Sequence, residues 1–375
     1  MKRSWLACSF ASLTLSLSPS FSLSQEKPPP PVSKALMEAR KKAVAELVKM
    51  KEAMAKKGQK AEVGDCDSIM AKLCAPEKNM PQKGAFAPFP GEKEYAEILA
   101  AWVELSTTLA GIYKDCAANL TDAAEQEQVE IFQAWIATWP EIAKGIRHLN
   151  ARRKMCKLPP VSEDWSGSWG GFLHGRYLKL NAKDPSVAGL GAHDENPKLP
   201  GATTEGAEAG RAILGAGGTP EMVMDSWLGS RFHRSPVFDV HCGRVSFGGY
   251  PGGWWACPNA GGMSGKALAD VITWPGDGDS GIATTFGGEA PNPFPQGMTS
   301  SGTIIIVQFL RSRPKKPVWR LLDPDSKEVP IVLLDQYENN AICFVAKEPL
   351  KGQTKYSVEV VGQDGSKIAF SFTTQ

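Results

Sequence analysis

The sequence predicts a multidomain α+β protein in which the two kinds of structure follow one another: an α-helical N-terminal region, a middle segment of mixed texture and a C-terminal β-sandwich. Three observations lead there. Apolar residues recur at helical spacing up to about residue 153. Gly, Trp and Pro then crowd the chain to about residue 268, and strand-like runs at short intervals fill the last ~100 residues.

A length of 375 residues suits two or three globular units, and 28 prolines with 37 glycines call for long, turn-rich connections. The 42 Lys and Arg against 40 Asp and Glu leave a formal charge of +2, with only 22% of residues charged. No global basic field exists to neutralise phosphates, so a nucleic-acid partner is not expected. The opening MKRSWLACSFASLTLSLSPSFSLSQ places Lys2 and Arg3 ahead of a moderately apolar run ending in small residues, the layout of a secretory signal peptide over 1–24. Its serines and Pro19 argue against a transmembrane helix, and no other apolar run approaches spanning length. Removing the signal takes away two basic residues and no acid, which balances the mature charge. A secreted, periplasmic or cell-surface location follows.

Export also sets the cysteine arithmetic. Cys8 leaves with the signal, and Cys66, Cys74, Cys116, Cys156, Cys242, Cys257 and Cys343 remain. Four lie before residue 160 and allow three pairings, while Cys242 and Cys257 flank a Gly-rich loop and form a natural disulfide pair. Cys343, in AICFVA, reads as a buried strand cysteine.

A stiff Pro-rich spacer occupies 25–32. Ser33 then caps a helix running to about Lys57, with Leu36, Ala43, Leu47, Met50 and Met54 on one stripe and Gly58 as the stop. Its many lysines offer attachment to an acidic surface, though a solvated face is the preferred reading. Residues 61–92 read as a loop stapled through Cys66 and Cys74, with at most a short helix. Helical spacing resumes at Tyr95, Ile98, Trp102, Leu105, Leu109 and Ile112, again at Val129, Phe132, Trp135 and Trp139, and from Ile142 to Arg153. Asn119-Leu-Thr121 is a formal glycosylation sequon. In the C-terminal part GTIIIVQFL, VWRLL, VPIVLL, NAICFVA, YSVEVV and IAFSFTT predict strands, with turns at Asp323-Pro-Asp325 and Asp364-Gly365, and together argue for an immunoglobulin-like sandwich. The boundaries are therefore 33–140, 141–268 and 269–375.

Two motifs fail on inspection. GDSG at 278–281 has the nucleophile turn of trypsin-like proteases without their histidine segment. GGMSGKAL lacks the first glycine and the hydroxyl residue of a phosphate loop.

The five histidines are His148, His174, His193, His233 and His241. Asn150 to Arg153 with Leu158 to Val161, then His193, then Trp227, Ser230, His233 and Arg234, with Phe238 and Asp239 leading to Phe247 and Gly248, resemble the CAP superfamily of secreted proteins. The match is to its divergent bacterial SCP-like branch, over roughly residues 145 to 265. The resemblance implies an α/β/α sandwich with a cleft built around two histidines and acidic residues. Imidazoles at His193 and His233 would then bind a divalent metal such as zinc, with Glu205, Glu195 and Asp194 as oxygen donors. Gly210-Arg211-Ala212-Ile213 stands where the family has Gly-Glu-Asn-Ile, so Arg211 repels a cation and suits an anionic group. Glu205 is the substitute carboxylate. Further on, EPLKGQTKYSVEV and FSFTT resemble bacterial immunoglobulin-like modules, with ITWPGDGDSGIATTFGGEAPNPFP as the lead-in.

The expected function is that of an exported, non-enzymatic binding or interaction protein. Its His193, Glu205, Arg211 and His233 cleft would take a small-molecule, glycan, lipid or protein ligand. The alternative is a metal-assisted hydrolase with Glu205 as ligand or general base. A third reading makes the chain a surface component tethered by its basic N-terminal helix.

Overall fold

A computed structural model describes residues 32–375 except 77, 79, 81–88, 217, 253, 262–268, 296–297, 299–300 and 338–340, with backbone alone at 254, 258–261 and 335–337. The expected signal peptide, nearly all of the spacer and most of GGMSGKAL lie outside the described residues. The protein is mixed α and β, with helices in the N-terminal half, several small, mainly antiparallel sheets and no barrel among the described residues. No described helix is long and apolar enough to cross a membrane.

Helix α1 (Lys34–Lys56) begins where Ser33 Oγ accepts the Leu36 amide at 3.2 Å and ends before Gly58, whose φ is +75°. Its apolar stripe is buried. Residues 60–74, expected as loop, form a 15-residue helix, α2 (Lys60–Cys74), and no disulfide joins Cys66 to Cys74. The reason is burial on two sides. Ala61, Ile69 and Leu73 face the core while Glu62, Asp65, Ser68 and Lys72 are buried too, so polar residues interrupt the apolar period. Helices α3 (Glu92–Ala117), α4 (Ala123–Ala137) and α5 (Trp139–Met155) follow. Trp102 stacks on Trp165 at 5.1 Å, Trp139 meets Trp102 edge-on at 5.4 Å, and Trp135 meets Trp169 at 4.9 Å. Such pairs contribute roughly 0.5–1.5 kcal/mol each beyond their burial. They join the helical region to the segment after it.

That segment contains β1 (Ser162–Glu163), α6 (Ser168–Leu180), α7 (Thr204–Gly210), β2 (Ile213–Ala216), α8 (Pro220–Leu228), α9 (Arg234–Phe238), β3 (Arg244–Gly249) and β4 (Trp254–Gly261). The strands form one sheet in the order β1-β3-β4-β2, parallel between β1 and β3 and antiparallel elsewhere. Alternation along β3 divides its side chains between two helical layers. Phe247 meets Trp227 of α8 at 5.7 Å and lies against Gly145 of α5, whereas Gly248 faces α6. A β-carbon on Gly171 would stand 2.9 Å from the Gly248 carbonyl oxygen, and one on Gly248 would stand 2.1 Å from that of Ser168. Helix α6 packs this closely because both positions are glycine.

The end of α5 pins the middle segment. Arg153 is fully buried, and its guanidinium donates to the carbonyls of Pro159 (2.8 Å), Val237 (2.6 Å), Asp239 (3.1 Å) and Cys242 (3.1 Å). Asn150 exchanges two 2.8 Å bonds with the Val161 backbone. Arg152 turns the other way, to Asp225 and to Asp279 of the C-terminal part.

The C-terminal part has two four-stranded sheets. One runs β5 (Val271–Trp274), β7 (Ile304–Phe309), β10 (Ala341–Ala346), β9 (Ile331–Tyr337); the other β6 (Asp279–Ile282), β12 (Lys367–Thr374), β11 (Lys355–Val361), β8 (Val318–Leu322). Trp319 of β8 meets Phe309 of β7 and Phe344 of β10, so the sheets face each other. Cys343 is buried in β10, and the Asp-Ser-Gly of GDSG opens β6, where Asp279 binds Arg152. The pairing expected of Cys242 with Cys257 is not formed either: no disulfide joins them. Cys242 Sγ, just before β3, reaches the Arg244 carbonyl, and Cys257, buried in β4 opposite Ile213 of β2, lies near enough to Cys242 to feel its charge.

One buried group couples α2 to this sheet. Asp65 takes the Arg244 guanidinium and the Trp165 amide, and Glu163 takes the Phe247 amide at 2.9 Å. Asp164 lies beside Asp65 and adds a like charge to it. Burial raises Asp65 and Glu163 well above ordinary carboxyl values, and a single arginine among four acids does not reverse it. Carboxyls raised in this way keep their protons longer in the folded chain than in the unfolded one. Their contribution is complete below the unfolded value, near 4, and is lost as pH rises through the folded value. Chemical denaturation is therefore expected to show stability declining as pH rises from about 4, with a shallower slope in Asp65→Asn. An unchanged slope would contradict the raised Asp65 carboxyl.

Candidate functional site

Helix α7 starts at Thr203, whose Oγ1 accepts the Gly206 amide at 2.9 Å. Glu195 Oε2 accepts the Thr203 amide at 2.7 Å, and its Oε1 lies 2.9 Å from His174 Nδ1. His174 Nε2 lies 2.8 Å from the Ala192 carbonyl oxygen. Both ring nitrogens of this fully buried histidine face oxygen atoms. At the far end of α7, His193 Nδ1 donates to the Gly210 carbonyl at 2.7 Å. Arg211, next along the chain, is exposed, as is Asp194.

Glu205, in the first turn of α7, faces α2 and α6. Its carboxylate accepts from Lys72 Nζ at 2.7 Å, from Trp169 Nε1 at 3.0 Å and from the Met80 amide. Lys72 also donates to the Lys78 carbonyl at 2.8 Å and sits 5.3 Å from the Trp169 ring centroid. Lys72, Trp169 and Glu205 wall a groove of about 450 Å3, lined further by Phe132, Leu173 and Thr204. Arg176 and Glu127, paired at 2.9 Å, stand on its rim.

His233 precedes α9 and binds elsewhere. Its Nδ1 donates to Glu289 Oε2 at 2.9 Å, and the same carboxylate accepts the Arg231 amide at 2.6 Å and the Phe232 amide at 2.9 Å. Glu289 comes from the loop between β6 and β7, since the segment expected to lead into the sandwich supplies two of its strands, and its side chain is 2% exposed. Arg234 reaches Cys343 Sγ at 3.6 Å, and Trp227 Nε1 donates to the Leu214 carbonyl at 2.9 Å.

The expected cleft set thus divides. His193 and Arg211 lie about the end of α7, Glu205 opens on the groove, and His233 is taken by Glu289. Zinc asks for three or four converging ligands. Among the described residues no three His, Cys, Asp or Glu side chains are grouped to hold a metal ion, so these side chains do not fit the metal. Of the three expected oxygen donors, Glu195 holds His174 and Glu205 holds Lys72, while Asp194 is exposed. Sequence reasoning missed His174, Lys72 and Trp169. For Lys72 a signal existed: it sits among Ile69 and Leu73 on a face that only a helix would bury.

Gly210 is the tight point of the arrangement. A β-carbon there would stand 2.4 Å from His174 Cε1 and 2.8 Å from the His193 carbonyl oxygen. Gly210→Ala is expected to cost about 1–3 kcal/mol, read as a lowered midpoint of unfolding, whereas Gly111→Ala, on open helix surface, should not.

No protein-family model matches the chain, and none of the curated proteins matches it. Among solved structures, CopC from Methylosinus trichosporium OB3b is similar over 28% of this chain and 88% of that one, at 18% identity and a TM-score of 0.19, a likeness too slight to bear on fold or function.

Proposed function

We propose that the protein is an exported binding or interaction protein. On this reading a CAP/SCP-like domain sits between a helical N-terminal extension and a C-terminal immunoglobulin-like module. Helices on both faces of a small sheet support the first assignment, and two facing four-stranded sheets support the second. One observation carries the functional reading: the residues behind the CAP resemblance are spent on joints of the fold. Asn150, Arg153 and Trp227 bind main chain, His193 binds a carbonyl and His233 binds Glu289.

The binding surface is the groove beside Glu205, where an aromatic floor and a paired polar rim suit an extracytoplasmic ligand: a small molecule, glycan, lipid or protein. The basic face of α1 adds a means of attachment to an acidic envelope. No bond favours the metal-assisted hydrolase, since Glu205 already neutralises Lys72.

Two measurements test this. Residues 1–32 fused to a reporter that is active only outside the cytoplasm should give activity; an inactive fusion removes export. Rim substitutions Arg176→Glu and Glu127→Lys should weaken retention on purified envelope polysaccharide and protein about tenfold, with the melting temperature within about 2 °C of the parent. Unchanged retention removes the groove. Hydrolysis of p-nitrophenyl acetate that is abolished by Glu205→Gln would instead support an enzyme.

A further inference from the structure

The groove beside Glu205 carries two ion pairs of different character. Lys72 and Glu205 are 4% and 12% exposed and bonded to each other, and Glu205 also takes the Trp169 indole and the Met80 amide. Their charges are matched and held in place. On the rim, Arg176 of α6 donates to Glu127 of α4 at 2.9 Å, with 18% and 64% of the two side chains exposed. Among the described residues neither side chain makes another hydrogen bond. An ion pair with so exposed a partner is weak, and opening it to a ligand costs little.

Apolar surface adjoins the rim pair. Residues three and four apart share a helix face, which places Ile131 one turn on from Glu127 along α4 and Leu173 one turn back from Arg176 along α6. Phe132 stacks on Trp169 at 5.5 Å and closes the floor between the two helices. A ligand bearing a single charge would take one member of the rim pair and leave the other unmatched, so the rim selects for one charge of each sign. Arg176 and Glu127 are in contact, and the ligand's two charges therefore have to be neighbours too. An α-amino acid has that geometry, because its ammonium and its carboxylate share one carbon. A neutral glycan offers neither charge.

We infer that the groove holds a zwitterionic α-amino acid head, with its ammonium on Glu127, its carboxylate on Arg176 and an apolar side chain along Ile131 and Leu173. This rests on the reading of the groove as the binding surface and names the class of ligand it takes. The head enters between Arg176 and Glu127, so that each charge exchanges one partner for another and none is left over. The same head exists as a free amino acid and as the end of a side chain carried on a polymer.

The test is nuclear magnetic resonance of the full chain with 13C-labelled isoleucine methyls, the Ile131 line being assigned by its loss in the conservative variant Ile131→Leu. The probes are L-leucine, 4-methylpentanoate, which lacks the ammonium, and 3-methylbutylamine, which lacks the carboxylate. L-Leucine should shift the Ile131 line with half-saturation near about 1 mM, an affinity ordinary for so few atoms, and each analogue should bind at least about tenfold more weakly. Arg176→Gln and Glu127→Gln should each weaken leucine about tenfold. Agarose carrying lysine through its side-chain amine, which displays the head on a chain, should retain the protein if a polymer-borne head is accepted; binding of leucine alone assigns the site to the free amino acid. An Ile131 line that stays in place to about 20 mM leucine, moves equally with either analogue, or responds unchanged in Arg176→Gln or Glu127→Gln overturns the inference. If Arg176→Glu weakens retention on envelope material while leucine leaves the line in place, the groove stands and the amino acid falls; if neither responds, both fall.

Discussion

The middle of the molecule depends on one buried cation without a carboxylate partner. Arg153 carries its charge into the core and spends it on four main-chain carbonyls from the 159 turn, α9 and the approach to β3. Burial lowers its pKa, yet arginine keeps its proton where lysine would give it up, and its planar fork fixes the direction of each bond. Carbonyls alone satisfy it because the three segments converge with their oxygens inward. Each of those segments would otherwise leave acceptors buried and unpaired. The packing of β3 against α5 and α8 follows from that convergence, and with it the positions of Trp227 and Phe247.

Neighbouring arginines thereby do different work. Arg153 draws the middle segment onto α5, while Arg152 leaves the same turn toward Asp225 and Asp279 and ties that segment to the sandwich. Glu289 makes the reciprocal tie, a carboxylate from the β6–β7 loop held by two successive amides and an imidazole. The two contacts flank α8 and the loop after it. The junction between the parts therefore carries directional polar ties beside an apolar core that runs through both.

Helices with one apolar stripe were legible in the sequence. The Leu36 to Met54 stripe and the Tyr95 to Leu109 stripe each face a single core, and the six C-terminal runs bury enough apolar side chains to stand out as strands. Helix α2 was not legible, because its second face buries Glu62, Asp65 and Lys72, whose partners come from residues about 100 to 180 positions away. Helix α6 was disguised by glycines, which read as loop until Gly248 shows why they are needed. The cysteines misled in a different way: the fold does bring Cys242 and Cys257 near one another, yet no disulfide joins them. At the site, Glu205 was legible as a carboxylate of consequence, but its partners Lys72 and Trp169 belong to other elements, and only packing brings them together.

This bears on what a motif means. Asn150, Arg153, Trp227 and Ser230 are polar or aromatic residues in a recognisable order, which invites a chemical reading, yet each bonds to main chain inside the protein. A residue that satisfies buried carbonyls is constrained as tightly by folding as a catalytic residue is by its substrate, since an unpaired buried acceptor costs about as much as a lost hydrogen bond. Order and spacing of such residues therefore speak for a scaffold. The chemistry has to be sought where the scaffold opens polar groups to a ligand, as on α7, where Glu205 stands at a groove.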